Sequence, residues 1–238
     1  MNKLYSVKRF RSRVSSIALR NYLSKEANRV DSMVVCGYPK SGTTWVTQLV
    51  SHICGLAYSQ NDVKFCTSGV VLHTHAMHFK GKAGLLYVVR DPREVVCSAA
   101  RALSGKVGFA VYDAKGNVTA DFVDYCMIRL PGARMDMASC MNLAKKNGWV
   151  VVRFEDLKND AVRYIEGALA DMGMIYSSEL VVEACEKYDF MRLKREVSDS
   201  VFLAQSTTQS WKTHLTREGI EKIRSHCGEI SSSYGYEI

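Results

Sequence analysis

The chain has 238 residues, of which 47% are apolar and only 3 are proline, enough for one substantial α/β domain with a single core. No apolar run approaches the roughly 18–20 residues of a membrane span, and no apolar signal-peptide core lies near the N-terminus. The sequence therefore argues against a transmembrane protein and predicts a cytoplasmic one. The 8 cysteines form no C-x-x-C pair and mostly lie in apolar runs, so we expect reduced thiols rather than disulfides or zinc.

The net charge of +8 is unevenly placed along the chain. Residues 1–30 carry eight Lys or Arg against one Glu, so this N-terminal arm holds most of the excess charge. The remaining domain, 31–238, is nearly neutral, which does not suggest a nucleic-acid-binding surface. Apolar spacing over 3–28 predicts an amphipathic helix. It could pack on the domain, contact an anionic membrane surface or acidic partner, or act as an organelle transit peptide.

The first pattern in the domain is a strand, a glycine loop and a helix. An apolar run over 33–36 predicts a buried strand, and Gly37 and Gly42 bracket the loop that follows it. Apolar spacing then predicts a helix, which Thr43 and Thr44 can cap and open. The free N–H groups and the dipole at a helix N-terminus attract anions. The segment is therefore predicted to bind phosphate.

Lys40 adds a positive charge inside this loop, although the loop is not a standard P-loop. The spacing from Gly37 to Gly42 matches G-x-x-x-x-G-K-[ST], but Thr43 occupies the lysine position. A P-loop nucleotide kinase remains an alternative, because Asp91 follows a later apolar strand and could hold Mg²⁺ as a Walker B carboxylate. Magnesium-dependent nucleotide binding would support that alternative.

Two histidines follow the second predicted strand. Residues 56–68 are predicted to be an irregular connection, and 70–72 form the apolar strand that leads to His73 and His75. Residues two apart on a strand share a face, so the two side chains are expected to point the same way. Ligands bind at strand ends in open α/β sheets. A metal site is not completed, because no third ligand stands at an obvious spacing.

The third predicted strand, 85–89, leads to an arginine and a helix. Pro92 suits the first helical position, and the helix is predicted to run to Leu103. Arg90 stands at the strand end and Ser98 lies eight residues later. A guanidinium offers a bidentate fork to phosphate, and a hydroxyl adds one more donor. The pair is therefore a candidate phosphate site.

The remaining pattern completes one α/β domain. Residues 104–118 are predicted to form a mobile loop at a substrate mouth, where Phe109 and Tyr112 contact an acceptor or have no role. The other predicted elements are helices over 119–146 interrupted near 131–132, a strand over 149–154, helices over about 160–172 and 178–187, a polar lid over 196–210 and a final helix over about 216–231.

The string from Pro39 to Trp45 resembles the 5′-phosphosulfate loop of sulfotransferases that use 3′-phosphoadenosine 5′-phosphosulfate (PAPS), particularly the cytosolic type. Arg90 with Ser98 resembles the family's 3′-phosphate motif, and Trp211 resumes the resemblance near the C-terminus. The resemblance covers about residues 32–235. It implies a three-layer α/β domain with a four- or five-stranded parallel sheet. It also implies sulfuryl transfer to a hydroxyl or amine of a small-molecule, natural-product or glycan acceptor, without a metal.

The resemblance also implies roles for individual residues. His75 is the general base, and a near-neutral pKa suits that role. His73 replaces a family lysine that holds the transferring group, and it could act as a cation or a donor. Lys40 stabilises the leaving phosphate of the product, 3′-phosphoadenosine 5′-phosphate (PAP). The implied nucleotide-binding residues are Lys40, Ser41, Gly42, Thr43, Thr44, Trp45, Arg90, Ser98 and Phe190.

Two departures from the family pattern keep other hypotheses open: His73 in place of the family lysine, and the loss of the 3′-phosphate clamp. The family's Arg-Lys-Gly clamp on the 3′-phosphate is replaced here by residues 204–206, Ala-Gln-Ser, and Lys194 or Arg195 could substitute. A non-catalytic PAP-binding protein is therefore a second alternative, marked by nucleotide binding without turnover. Lys212 begins a segment with the spacing of the family's dimerisation motif, so a homodimer is also considered.

Overall fold

The computed structural model describes residues 32–59, 70–77, 84–189 and 209–238. The basic arm, Phe190, Lys194, Arg195 and the 204–206 segment lie outside the described residues, so the predictions made for them stay predictions. The elements are β1 (Met33–Gly37), α1 (Thr43–Cys54), β2 (Ala57–Ser59), β3 (Val70–Thr74), β4 (Gly84–Val89), α2 (Pro92–Leu103), α3 (Ala120–Ile128), α4 (Met137–Lys146), β5 (Val150–Arg153), α5 (Phe154–Asn159), α6 (Ala161–Asp171), α7 (Ser178–Lys187), α8 (Trp211–His214) and α9 (Arg217–Ser232).

The strands form a parallel five-stranded sheet in the order β2-β3-β1-β4-β5. The strand β1 lies at the centre, and the chain builds first to one side of it and then to the other. Such a reversal of strand order opens a crevice at the carboxyl ends of the central strands, where open α/β sheets bind ligands. The predicted parallel sheet is confirmed, and its switch point falls at the glycine loop after β1.

Both faces of the sheet are buried, which makes the domain three layers deep. On β1, Val34 and Cys36 face the core formed with α2, α3, α4 and α9. Met33 and Val35 face the opposite core, formed with α1, α6 and α7. A strand covered on both faces needs an unbroken apolar run, because successive side chains point to opposite sides. The apolar run over 33–36 therefore predicted the strand correctly.

The predicted boundaries are mostly confirmed, with two differences near strands. Residues 57–59 form the edge strand β2, whereas the 56–68 stretch was predicted to be irregular. This strand has three residues and pairs only with β3, so it is too short to show a periodic pattern. Phe154 was assigned to a strand but begins the short helix α5. Every described cysteine is a free thiol, as predicted.

The 104–118 loop is held at its end by the core. Tyr112 forms an antiparallel bridge with Val118, which also bridges to Leu215. Val111 and Val118 are buried. The loop is therefore attached to the domain at the point where the chain enters α3. None of the helices within the described residues is long and apolar enough to cross a membrane.

Candidate active site

The glycine loop over 38–42 has the backbone shape of an anion site. Lys40 adopts a positive φ of 74°, and Gly42, at 92°, is the N-cap of α1. A left-handed conformation is unfavourable for a residue with a side chain and is often found at functional sites. The threonines were predicted to cap the helix, but no side chain does so. Because the cap is a glycine, it offers no side-chain acceptor to the N–H groups of the first turn.

Thr43 places a buried hydroxyl group at the end of the loop. Its hydroxyl oxygen is buried and has no hydrogen-bond partner among the described residues, and the residue is 2% exposed. A buried hydroxyl without a partner is costly, because it has lost its water without a replacement. At a helix N-terminus such a donor fits a phosphate oxygen. The residues present therefore suit the anionic group that the sequence predicted here.

Tyr38 fixes the start of the loop to the opposite layer. Its hydroxyl donates to the carbonyl oxygen of Cys126 at 2.6 Å and accepts from the backbone N–H of Leu130 at 3.1 Å. The side chain is 2% exposed. Both partners are about 90 residues away in sequence, so no local pattern indicated this role. The contact holds the loop rigidly between the sheet and the end of α3.

Gly42 is pressed against an aromatic ring that the sequence analysis did not assign to the site. A Cβ added at Gly42 would lie 2.3 Å from Cδ2 of Phe154. The same ring packs edge-on to Trp45, with centroids 5.7 Å apart, and lies 4.4 Å from the guanidinium carbon of Arg90. Phe154 therefore packs against three of the predicted nucleotide-binding residues, Gly42, Trp45 and Arg90.

We expect Gly42→Ala to destabilise the fold by about 2–5 kcal/mol, because it adds both left-handed strain and overlap with the ring of Phe154. Gly55→Ala is the matched control, since Gly55 also has a positive φ, 62°, but its added Cβ would meet nothing within 4 Å. Urea unfolding of both variants measures the difference. Equal destabilisation would show that Phe154 does not restrict the loop.

The two histidines are brought together beside this loop. Their ring centroids are 5.0 Å apart, and Nδ1 of His75 lies 2.9 Å from the carbonyl oxygen of Gly37. A carbonyl only accepts, so Nδ1 of His75 carries the proton and donates it. The other nitrogen, Nε2, then holds the lone pair of the neutral ring. His73 reaches the hydroxyl of Thr44 through Nε2 at 3.4 Å.

Burial lowers the pKa of both histidines beside the loop. It lowers the pKa of His73 to about 4, and the neighbouring His75 contributes to that shift. Burial also lowers the pKa of His75, as does the charge of Lys40, while the hydrogen bond to Gly37 opposes the shift. Both rings are therefore neutral at physiological pH. The neutral ring of His75 can accept a proton at Nε2, and the neutral ring of His73 can form hydrogen bonds.

Arg90 is buried beside the glycine loop. Its Nη1 donates to the carbonyl oxygen of Lys40 at 3.1 Å, and its Nη2 lies 3.7 Å from Oε2 of Glu94. Its Nε is buried without a partner among the described residues. Ser98 lies four residues after Glu94 and is half-buried. The structure thus connects the arginine at the end of β4 to the loop after β1.

The acidic residues near this turn have structural partners. Asp91 caps α2 and accepts from Arg93 through both carboxylate oxygens, at distances from 2.7 to 3.2 Å. Glu155 accepts from the backbone N–H of Asp91 at 3.2 Å and from the hydroxyl of Tyr236 at 2.6 Å. The carboxylate proposed for a Walker B role is therefore already bound by an arginine.

The remaining predicted site residues, Trp45, Phe109 and Ser41, differ in how far they are exposed. Trp45 is 6% exposed, and its indole N–H donates to the carbonyl oxygen of Tyr188 at 2.7 Å. It therefore packs as a core residue between α1 and the end of α7. Phe109 is 42% exposed and packs against Phe122 and Tyr125. Ser41 is buried within the loop.

Comparison with known proteins identifies the family. Residues 67–235 match the family model described as "Sulfotransferase domain", which is more than two thirds of the chain. The chain belongs to the sulfotransferase domain family. It is a homologue of PAPS-dependent sulfotransferases. This favours the sulfotransferase prediction over the nucleotide-kinase alternative.

Individual relatives agree with this assignment over most of the chain. Sulfotransferase 2A2 of Rattus norvegicus is 22% identical over 251 residues, covering 86% of this chain and 87% of the relative. Mouse sulfotransferase SULT7A1, solved in complex with PAP, superposes with a TM-score of 0.65 at 15% identity and covers 89% of this chain and 90% of its own. Retinol dehydratase, solved with androsterone and PAP, gives 0.59 at 13% identity, covering 86% and 82%.

Proposed function

We propose that this chain transfers a sulfuryl group from PAPS to a hydroxyl or amine of a small-molecule, natural-product or glycan acceptor, with His75 as the general base. The observation that carries the proposal is the hydrogen bond from His75 to the carbonyl of Gly37, at 2.9 Å. It fixes the tautomer in which Nε2 can accept a proton. The same glycine ends β1 and begins the phosphate loop, so base and loop share one rigid support.

The proton transfer falls to one nitrogen of His75. The acceptor's O–H or N–H proton moves to Nε2 as the acceptor atom bonds to sulfur, and the bond between sulfur and the bridging phosphate oxygen breaks. The electron pair of that bond stays on the phosphate oxygen of PAP. PAPS supplies an activated sulfuryl group with a good leaving group, so the proposed reaction needs no metal.

The loop residues stabilise charge on the departing phosphate. Lys40 supplies the positive charge, and the N–H groups at the start of α1 supply donors in a fixed direction. The buried hydroxyl of Thr43 is a further donor that lacks a partner in the described residues. Preorganised donors of this kind stabilise a transition state because they do not need to reorient as charge develops.

His73 is proposed to position the site as a neutral group. A pKa of about 4 means that this ring carries almost no charge near neutral pH. It therefore replaces the family lysine as a hydrogen-bond partner of Thr44 rather than as a cation. Lys40 and neighbouring arginines then supply the positive charge that faces the transferring group.

The acceptor is proposed to enter beside the turn between α3 and α4. A Cβ added at Gly132 would lie 3.3 Å from Cδ2 of His75, so this turn forms one wall next to the base. The androsterone in the retinol dehydratase structure supports a small apolar molecule with a hydroxyl group as one acceptor class.

Four further predictions from the sequence belong to this proposal. They are a cytoplasmic location, a homodimer, a division between arm and domain at residue 30, and contact of the arm with a membrane surface.

The proposal is tested by sulfuryl transfer from ³⁵S-labelled PAPS to a panel of phenols, aliphatic alcohols, amines and sugars, without added metal. Label is expected in at least one acceptor class and is expected to be lost with His75→Ala. The non-catalytic alternative predicts PAP binding without transfer to any acceptor. Tight PAP binding with no labelled product would therefore support a binding protein instead.

The pH dependence of kcat/KM should be bell-shaped. Both limbs should lie at lower pH than the ordinary pKa values of histidine and lysine would give. Activity is lost as pH falls through the pKa of His75, which burial lowers below 6.5. It is lost again as pH rises through the pKa of Lys40, which burial and the neighbouring cations lower below 10.5. Steady-state rates from pH 4.5 to 10.5 measure both limbs. An acid limb above pH 6.5 would contradict the assignment of the base.

A further inference from the structure

A second basic group lies on α2, away from the glycine loop itself. Arg101 follows Ser98 by three residues, a spacing that places both on the same face of the helix. Its Nη1 lies 3.5 Å from the hydroxyl oxygen of Ser210, which donates to Oε2 of Glu94 at 2.9 Å. Lys106, just after the helix, donates to a backbone carbonyl at 2.8 Å. The cluster is therefore assembled from both ends of α2 and the turn before α8.

Positive charge exceeds negative charge around this cluster. Arg90, Lys106 and Arg101 each lower the pKa of Lys40 by repulsion, in addition to the effect of burial. Glu94 contacts the cluster through Arg90 and Ser210, and the charges of Glu155 and Asp91 also act on Arg90. Arg90 is buried, and Lys40 and Arg101 are half-buried, so an anion bound among these cations would offset their mutual repulsion.

The contacts form a continuous connection from the phosphate loop to α2. Arg90 donates to the carbonyl of Lys40 and reaches Glu94, and Glu94 accepts from Ser210 beside Arg101. Arg90 also keeps a buried Nε without a partner in the described residues. The loop and the face of α2 thus each present basic or hydrogen-bond-donor groups, and Arg90 links the two. Such a pair suits a ligand with two phosphate groups at different positions.

We infer that Arg101, oriented by Ser210 and aided by Ser98, binds the second phosphate of the donor nucleotide, the 3′-phosphate, in place of the clamp that this chain lacks at 204–206. The inference rests on the proposed function, which assigns the 5′ group to the glycine loop. Arg101 offers the planar fork that binds phosphate through two hydrogen bonds. It therefore acts as a binding residue that distinguishes PAP from 5′-AMP.

The experiment compares PAP with 5′-AMP, which lacks the 3′-phosphate, on the full chain. Arg101→Gln is expected to weaken PAP binding roughly 10- to 100-fold and to leave 5′-AMP affinity within about twofold. Arg101→Lys should keep part of the PAP affinity. Arg163→Gln is the matched control, since it removes an exposed arginine on α6. Thermal unfolding confirms that each variant folds, and Ser98→Ala gives a second, smaller expected loss for PAP.

Three results would overturn the inference. PAP affinity that survives both Arg101→Gln and Ser98→Ala would remove Arg101 from the site. Equal losses for PAP and 5′-AMP would show a general effect of charge or structure. Loss in Arg163→Gln as large as in Arg101→Gln would show the same. The proposed function fails separately, if the wild-type chain does not bind PAP or if Lys40→Ala binds PAP as well as the wild type.

Discussion

Replacing His75 with alanine is expected to lower kcat for sulfuryl transfer about 10²- to 10⁴-fold, which is the range of general-base catalysis. In the proposed reaction, Nε2 removes the acceptor's proton, and no other described side chain has its proton fixed by the carbonyl of Gly37. PAP binding should change little, because the phosphate loop keeps its own support from Tyr38 and Phe154. The loss should therefore appear in kcat and not in nucleotide affinity.

Two histidine controls separate catalysis from packing. His52→Ala removes a ring on α1 that contacts Glu183, on a different part of the surface, and should leave kcat unchanged. His73→Ala removes the neutral partner of Thr44 and should cost about tenfold or less, close to the loss of one ordinary hydrogen bond. If His75→Ala kept most of the wild-type kcat, or if His73→Ala cost more than His75→Ala, the base would be assigned to the wrong ring.

Replacing Lys40 is expected to have the second large effect. Lys40→Ala should weaken PAP binding roughly 10- to 100-fold and lower kcat about 10²- to 10³-fold, since it removes positive charge where the leaving phosphate develops negative charge. The effect on kcat should exceed that on the binding of PAPS, because the charge on the phosphate grows as the bond to sulfur breaks. Stopped-flow or steady-state rates with titrated PAPS measure the two effects.

The backbone of Lys40 allows charge and strain to be separated. Its φ is 74°, so alanine keeps the strained conformation while glycine relieves it. Lys40→Gly should therefore lose activity like Lys40→Ala but gain stability relative to it. Lys115→Ala, in an exposed turn, controls for the loss of a charge elsewhere. If Lys40→Gly restored activity, loop strain rather than charge would explain the loss.

Local patterns in the sequence were sufficient for much of the fold and for the centre of the site. The apolar run over 33–36, the glycine spacing and the helical spacing after Thr43 are all short-range signals. They predicted a strand, a turn and a helix N-terminus, and these three elements define the glycine loop. The period-two spacing of a strand also predicted that His73, on β3, and His75, just past its end, lie close together.

The supports of the site could not be predicted from local patterns. Phe154 lies under Gly42 only because β5 ends two strands away from β1 in the sheet. The contact of Tyr38 with Cys126 spans 88 residues. The proximity of Arg101 to Ser210 spans 109. Nothing in the spacing of these residues indicates their contacts, because tertiary packing alone brings them together.

The glycine loop is expected to bind a PAP-type nucleotide without a metal. The most direct measurement is calorimetric titration of the wild-type chain and Lys40→Ala with PAP in EDTA, and with ATP in Mg²⁺. The wild-type chain should bind PAP with micromolar affinity in EDTA and ATP much more weakly, and Lys40→Ala should lose the binding of PAP. If the chain bound ATP only with Mg²⁺ and did not bind PAP in EDTA, the expectation of metal-independent PAP binding would be wrong. That result would support the nucleotide-kinase alternative.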